Sequence, residues 1–186
     1  PAADGGEGAV VGAPGTRPTG WGFIGGPSGV PQQIAAVGVE DGFPYVDVRY
    51  AGTPSSGGQI QAIFGQPGTN TPAAAMGQAW TARIRARLVA GSLTNVGGQQ
   101  IGLSEYNGPA YLVGSVAGYP LTPAPLRDNV ATVSRTLTNG STTTAAIGWS
   151  ASITSGQPID LTVRFAAPQL WQSALAYSPS FAPAGA

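Results

Sequence analysis

Short stretches of alternating apolar and polar residues run through most of the chain, and Gly, Pro and Asn separate them. Gln32 to Glu40 (QQIAAVGVE) and Phe43 to Ala51 (FPYVDVRYA) are joined by Asp41-Gly42, which is a strong signal for a tight β-hairpin. Between Val46 and Tyr50 every second residue is apolar. The pattern therefore predicts a hairpin with one face for the core and one polar face.

Ala79 to Ala90 (AWTARIRARLVA) is the longest stretch without Gly or Pro and the best candidate for a helix. However, Arg83, Arg85 and Arg87 alternate with apolar residues, which is the period of a strand. A helix would spread the three arginines over more than half of its circumference and leave no apolar stripe. We therefore predict a strand that carries the three arginines on one face.

The same pattern predicts further strands close to residues 21–24, 57–65, 99–106, 110–116, 129–137, 142–153 and 159–170. About ten short strands with turns between them indicate an all-β fold, an antiparallel two-sheet β-sandwich, because a single sheet of that size would expose its second face. We expect a flexible arm with at most one edge strand over residues 1–20, the sandwich over 21–171 and a C-terminal tail over 172–186. The start at Pro1 without Met predicts a fragment or a processed product.

Composition supports an all-β fold and limits the chemistry. Gly and Pro, 29 and 17 residues, disfavour a helical bundle, and 42% hydrophobic residues with no net charge favour a folded core. The absence of Cys and His excludes thiolate nucleophiles, imidazole-dependent triads and the usual zinc sites. The zero net charge argues against a nucleic-acid partner, and no apolar run is long enough to insert into a membrane. Catalysis by two carboxylates stays open.

Five segments together resemble a known family: Gly8 to Trp21, Asp41 to Gly58, Gly77 to Val96, Ile101 to Ser115, and Gly156 to Leu170. In order and spacing they are similar to the jelly-roll carbohydrate-binding domains at the ends of phage and prophage tail or spike proteins, including those of gene transfer agents. The resemblance implies a jelly roll, no enzymatic activity, and glycan recognition on a concave sheet face or on loops at one end. It also implies an extracellular or virion-surface location, and a structural calcium ion in many such modules.

The arginine row is the first candidate ligand site. Arg83, Arg85 and Arg87 lie about 7 Å apart on one strand face and repel each other unless carboxylates or an anionic ligand face them. Asp47, Glu105 and Asp160 are at outward strand positions by the pattern and could pair with them. One interpretation is therefore a solvated lattice of salt bridges, and the other is a site for acidic or hydroxyl-rich sugars.

A second candidate is the turn at Asn107-Gly108-Pro109, where Tyr106, Tyr111, Glu105 and Asn107 bring aromatic, carboxylate and amide groups together. Their alternative role is to cap the core. Trp171 follows the last strand and is predicted to be exposed, either as a stacking platform or oligomer contact, or as a cover for the end of the sandwich.

The Glu40-Asp41-Gly42 turn could ligate calcium through its carboxylates, although a hairpin explains it without metal. We expect a non-catalytic carbohydrate-binding module that recognises a polysaccharide or cell-surface glycan. The alternative is a structural jelly roll in a virion fibre, assembled as a trimer or attached to a larger parent protein. A two-carboxylate glycosidase is the least favoured hypothesis.

Overall fold

Residues 6–173 are described by the computed structural model, and they form ten β-strands without a helix. The strands lie at the places that the alternation predicts, and their ends differ from the prediction by three residues or fewer. Their bounds are β1 Trp21–Gly25, β2 Gln32–Glu40, β3 Phe43–Gly52, β4 Gly58–Phe64, β5 Ala79–Gly91, β6 Val96–Asn107, β7 Ala110–Gly118, β8 Val130–Thr136, β9 Thr144–Ile153 and β10 Ile159–Gln172.

The strands form two five-stranded antiparallel sheets. Sheet A has the order β1-β4-β9-β6-β7, and sheet B has the order β2-β3-β10-β5-β8. If β3 is counted as strand 1, the order β3-β10-β5-β8 in sheet B becomes 1-8-3-6. The order β4-β9-β6-β7 in sheet A becomes 2-7-4-5. This double Greek-key order is that of a jelly roll, with β1 and β2 each added at one edge. The predicted all-β, two-sheet sandwich is confirmed.

The core lies between the sheets and is built from the inward residues of each strand. On β5 the buried residues Ala82, Ile84 and Ala86 face inward, so the three arginines lie on the outer face, as predicted. Aromatic rings fill the centre. Phe165 packs edge-to-face against Trp149, with ring centroids 5.3 Å apart, because edge-to-face contacts suit the quadrupoles of the two rings.

The connection between β2 and β3 is a tight hairpin. Asp41 and Gly42 both have positive φ angles, 53° and 80°, as the predicted tight hairpin between β2 and β3 requires.

Between residues 6 and 20 the chain forms isolated bridges, and one of them joins Gly12 to Ile34 of β2. β10 extends through Gln172, one residue beyond the predicted end of the sandwich, and the predicted tail from 174 onwards lies outside the described residues. The division into arm, sandwich and tail stays a prediction.

Candidate functional site

An open groove of about 550 Å³ runs over the outer face of sheet A. Its floor consists of small residues on the two central strands, Gly148 and Ala146 of β9 and Gly102 and Ser104 of β6. Gly148 and Gly102 are cross-strand partners, as are Ala146 and Ser104. Because the side chains at these outward positions are short, the outer surface of sheet A is depressed along its middle, between the larger side chains on both sides.

One rim of the groove is formed by amide side chains of β4. Gln59 and Gln61 both point outward, and Gln61 Nε2 donates a hydrogen bond of 2.9 Å to Gln59 Oε1. Further across the sheet, Gln100 Nε2 donates to the Ser150 hydroxyl at 3.1 Å. These bonds orient the amides, and each amide keeps further donor and acceptor positions for a ligand.

The opposite rim is formed by Tyr111 and Val116 of β7, which are 62% and 59% exposed. The Tyr111 ring meets Tyr106 edge-to-face, with centroids 5.8 Å apart. A Cβ atom placed on Gly114 would lie 3.3 Å from the Tyr111 hydroxyl and 2.8 Å from the Ser104 hydroxyl. Glycine at 114 therefore lets the tyrosine lie close over the sheet, beside the floor of the groove.

The groove lining contains amides, hydroxyls, one exposed aromatic ring and no charged side chain. Such a surface can stack on C–H groups and form hydrogen bonds with hydroxyls, and it has no carboxylate or imidazole in its lining. Within residues 6–173 no group of three or more Asp, Glu, His or Cys side chains is arranged to hold a metal ion. No helix in the same range could span a membrane.

The predicted turn after β6 contributes to this groove only in part. Tyr106 and Tyr111 are in its lining, and Asn107 is exposed in the hairpin outside it. Glu105 was expected to point outward, which is wrong. Its side chain is fully buried and points between the sheets, where the neighbouring residue on β9 is the buried Ala145. A carboxylate at this depth needs several partners.

Glu105 is held by the loop between β8 and β9. The Thr142 hydroxyl donates to Oε2 at 2.5 Å, the backbone N–H groups of Asn139 and Thr138 donate at 3.0 Å, and Arg135 forms an ion pair at 2.7 Å. Burial raises the pKa of Glu105, but the hydrogen bond from Thr142, those from the two backbone groups and the Arg135 charge together lower it below its ordinary value. Glu105 therefore remains ionised and has a structural role.

The arginine row lies on the opposite side of the molecule, on the outer face of sheet B. Arg87 forms a 3.0 Å ion pair with Glu40, and its Nη1 donates to the Pro123 carbonyl. Arg85 Nη1 donates to the carbonyls of Leu126 and Arg127, and its guanidinium lies 4.3 Å from the centroid of the Phe43 ring. Two of the three predicted site arginines thus tie β5 to neighbouring loops.

Asp47 lies on the outer face, as predicted, but it is only 3% exposed, so the expectation that it pairs with the arginine row is wrong. Arg164 of β10 covers it with two hydrogen bonds, of 2.7 Å to Oδ1 and 2.8 Å to Oδ2, and also pairs with Glu40. Asp160 pairs with Arg49 at 2.7 Å, at the exposed end of the sheet. The predicted lattice of salt bridges exists, but of the three predicted arginines only Arg87 takes part in it, and its other arginines are Arg49, Arg127 and Arg164.

The sequence pattern placed Trp171 after the last strand, which is wrong, because Trp171 belongs to β10. It is half-buried and is the cross-strand partner of Thr81 of β5. The Thr81 hydroxyl lies 2.8 Å from the Ser134 hydroxyl of β8, on the outer face of sheet B. Trp171 therefore lies on that face too, far from the tyrosines of the groove.

The turn at Glu40 and Asp41 does not fit a calcium ion. Glu40 accepts hydrogen bonds from the Leu126 N–H and from Arg87 and Arg164. Burial raises the pKa of Glu40, but these hydrogen bonds lower it below its ordinary value. Carboxylate oxygens already bound to arginines are poor ligands for a second cation, so the hairpin interpretation is favoured.

Sequence reasoning missed the amides and small residues that shape the groove, although the signal was present. In GGQIQAIFG the outward positions of the predicted strand are glutamines, and in the strands around residues 102 and 148 they are Gly, Ala and Ser. Single strands show such alternation, but only the strand order tells which polar faces meet. The missed residues are Gln59, Gln61, Gln100, Gly102, Ser104, Gly148 and Ser150.

No protein-family model and no curated protein matches the chain in sequence. Solved structures that are similar to it include the following three. One, from a study of the structure and function of a family 4 carbohydrate-binding module, has a TM-score of 0.40 and 15% identity and covers 76% of this chain and 77% of its own. A second, described as a family 16 carbohydrate-binding module, has a TM-score of 0.42 and 11% identity, with 82% and 90% covered.

The third is the C-terminal family 6 carbohydrate-binding module of LamC, a marine laminarinase from Zobellia galactanivorans. Its TM-score is 0.32 at 17% identity, and 77% of this chain and 97% of that chain are covered. Likeness at these TM-scores carries no argument for a ligand. The strand order establishes the jelly roll, and the groove must be interpreted from its own residues.

Proposed function

We propose that this chain is a non-catalytic carbohydrate-binding module whose groove on sheet A recognises a neutral polysaccharide or cell-surface glycan. The observation that carries the proposal is the groove lining, in which amides and hydroxyls surround a low floor and no side chain is charged. A neutral sugar chain offers hydroxyls to the amides and C–H faces to the Tyr111 ring. A charged ligand would find no counter-charge there.

The ion pairs and the positions of the carboxylates support the proposed lack of catalytic activity. Glycoside hydrolysis needs two carboxyl groups flanking one bond. Glu40, Asp47 and Glu105 are engaged by arginines, and none of them lines the groove. We further propose that the module acts outside the cell or on a virion surface, as part of a phage-like tail or spike protein, where repeated copies would raise a weak single-site affinity.

The groove can be blocked at Gly102. A Cβ atom there meets the Val116 side chain at an ordinary 3.6 Å, and no positive φ angle demands glycine. Gly102→Val should therefore fold and fill the floor, whereas Gly140→Val, in a loop with open space around it, is the matched control. Tyr111→Ala removes the exposed ring of the groove. Gln61→Ala removes one of its amides, and the control for this variant is Gln157→Ala, which removes an exposed amide at a turn outside the groove.

Isothermal titration with a panel of neutral polysaccharides tests the proposal. We expect binding by the native chain and by both control variants, with an affinity at least about tenfold weaker for Gly102→Val and Tyr111→Ala. Absence of binding to every neutral polysaccharide at millimolar protein, or unchanged binding by Gly102→Val, would contradict it. Release of reducing sugar by the native chain would contradict the non-catalytic part.

A structural role in a fibre is the second candidate, and exposed valines favour it. Val37 and Val39 on β2 are 42% and 68% exposed, and Val10 and Val11, in the segment bridged to β2, are 57% and 54% exposed. Apolar side chains gathered at one edge are typical of an assembly contact. Light scattering would show a trimer that Val39→Ser dissociates if this role holds, and a monomer at all concentrations if it does not.

A further inference from the structure

The outer face of sheet B contains a second group of ligand-type side chains, which the salt-bridge lattice does not use. A β-bulge creates it. In the pairing of β10 with β5, Ala166 is opposite Arg85, and the next paired residues are Gln169 and Arg83. The step between these two pairs is three residues long on β10 but only two residues long on β5, so β10 contains one extra residue. Ala167, inside the bulge, has a φ of 46°, which alanine rarely adopts.

The bulge decides which side chains face outward. Phe165 points into the core, and strict alternation would also send Gln169 and Trp171 inward. The extra residue reverses this, so Leu170 packs against the core while Gln169 and Trp171 share the outer face with Arg83 and Thr81. A large aromatic side chain has thus been moved from the inner to the outer side of the sheet.

Arg83 and Arg85 differ from the other arginines of this sheet. Within the described residues no carboxylate lies within ion-pair distance of either guanidinium, whereas Arg49, Arg87 and Arg164 each have at least one. Arg85, the neighbour of Arg83 on the same face, bonds only to carbonyls and an aromatic ring. Burial lowers the pKa of Arg85 and the Arg83 charge lowers it further, while Tyr119 and the more distant carboxylates of Asp41 and Asp128 raise it. Arg83 thus adds a positive charge that no adjacent carboxylate pairs with.

Neighbouring groups supply the remaining features of a sugar site. Trp171 and Arg83 are diagonal neighbours across β10 and β5, a spacing of roughly 7 to 8 Å that long side chains bridge. The Oε1 atom of Gln169 is buried without a hydrogen-bond partner among the described residues. Thr132 of β8 is exposed directly opposite Arg83. A ring, a cation, an amide and a hydroxyl thus converge on one patch.

We propose that Arg83, Gln169 and Trp171 form a second ligand site, which binds an acidic sugar unit through its carboxylate. Arg83 forms a charge-assisted, forked hydrogen bond with the carboxylate, and Trp171 stacks on the sugar ring. The negative charge relieves the repulsion between Arg83 and Arg85. This site lies on the sheet opposite the groove, so the module would have one neutral and one acidic glycan site on its two faces.

The indole N–H of Trp171 reports on this site directly. In a ¹H–¹⁵N spectrum the chain has four indole cross-peaks, one for each Trp, and Trp171→Phe identifies the relevant one by its loss. The probe is a trimer of galacturonic acid, with its methyl ester and free acetate as comparison ligands. We expect the trimer to shift the Trp171 peak, the methyl ester to have little effect, and acetate to bind far more weakly than the trimer.

Arg83→Gln should weaken this response at least about tenfold, since it removes a charge-assisted bond. Arg17→Gln is the matched control, because it removes one charge from an exposed arginine that, like the half-buried Arg83, has no carboxylate partner among the described residues. Arg83→Lys should restore only part of the affinity, because lysine keeps the charge without the fork.

Several outcomes would overturn the second site. They are no Trp171 shift with millimolar trimer, an equal response to the methyl ester, or equal affinity in Arg83→Gln and Arg17→Gln. The groove variant Gly102→Val keeps this response if the two sites are separate. Failure here would leave neutral glycan binding on sheet A unaffected, and failure of the groove would leave this site unaffected.

Discussion

Arg135 of β8 and Glu105 of β6 form an ion pair of 2.7 Å that connects the two sheets, and the Glu105 side chain is fully buried. Glu105→Gln keeps the shape but leaves the Arg135 charge inside the protein without its partner. We expect a loss of about 3 to 5 kcal/mol in the free energy of unfolding, measured by urea denaturation. Asp160→Asn, in an exposed pair, should change it little, and equal losses in both variants would contradict the prediction.

Below neutral pH, stability should decrease only in the acidic range. The pKa values of Glu105, Glu40 and Asp160 are all lowered in the folded protein. A lowered pKa adds stability that is present above the ordinary value of the group and is lost as the pH falls through the folded value. Since the chain has no His, we expect a nearly constant melting temperature from pH 7 to about 5.5 and a decrease below about 4.5.

Glu105→Gln should reduce this acid sensitivity, because one of the three carboxylates no longer titrates. The comparison is made as the difference in melting temperature between pH 7 and pH 3.5, native chain against variant. A native chain that is more stable at pH 3.5, or a variant with the same difference as the native chain, would show that Glu105 does not contribute.

Asp47 and Arg164 should be strongly coupled. Arg164→Met leaves Asp47 buried without a counter-charge and also removes the contact of the guanidinium, 3.4 Å from the centroid of the Tyr45 ring. We expect each single variant, Arg164→Met and Asp47→Ala, to lose about 3 to 5 kcal/mol, and the double variant to lose clearly less than the sum. Additive losses in urea denaturation would argue against coupling.

Gly42 should be needed for its backbone conformation alone. Its φ is 80°, and a Cβ atom there would meet nothing within 4 Å. Gly42→Ala should cost about 1 to 2 kcal/mol, a decrease of roughly 2 to 8 °C in Tm for a chain of this size. Gly118→Ala is the control, because its position is equally open and has no positive φ. A similar Tm for the two variants would mean that the hairpin tolerates an ordinary residue.

The strands could be predicted because each one is a local pattern. Ala82, Ile84 and Ala86 alternate with arginines over a stretch of β5, and this period alone excludes a helix. The direction of Glu105 could not be predicted in the same way. A carboxylate inside the sandwich is stable only because Arg135 and Thr142, about 30 residues further along, fold back onto it.

The sequence by itself therefore determined the strands of this protein and its lack of Cys and His chemistry, since both depend on residue types and on neighbours along the chain. Only the tertiary structure decided which polar faces meet. It joined Gln61 of β4, Ser150 of β9 and Gln100 of β6 into one groove, and the bulge at Ala167 turned Trp171 outward. The reason is physical: strand order and register depend on hydrogen bonds and packing between distant segments, which no local period contains.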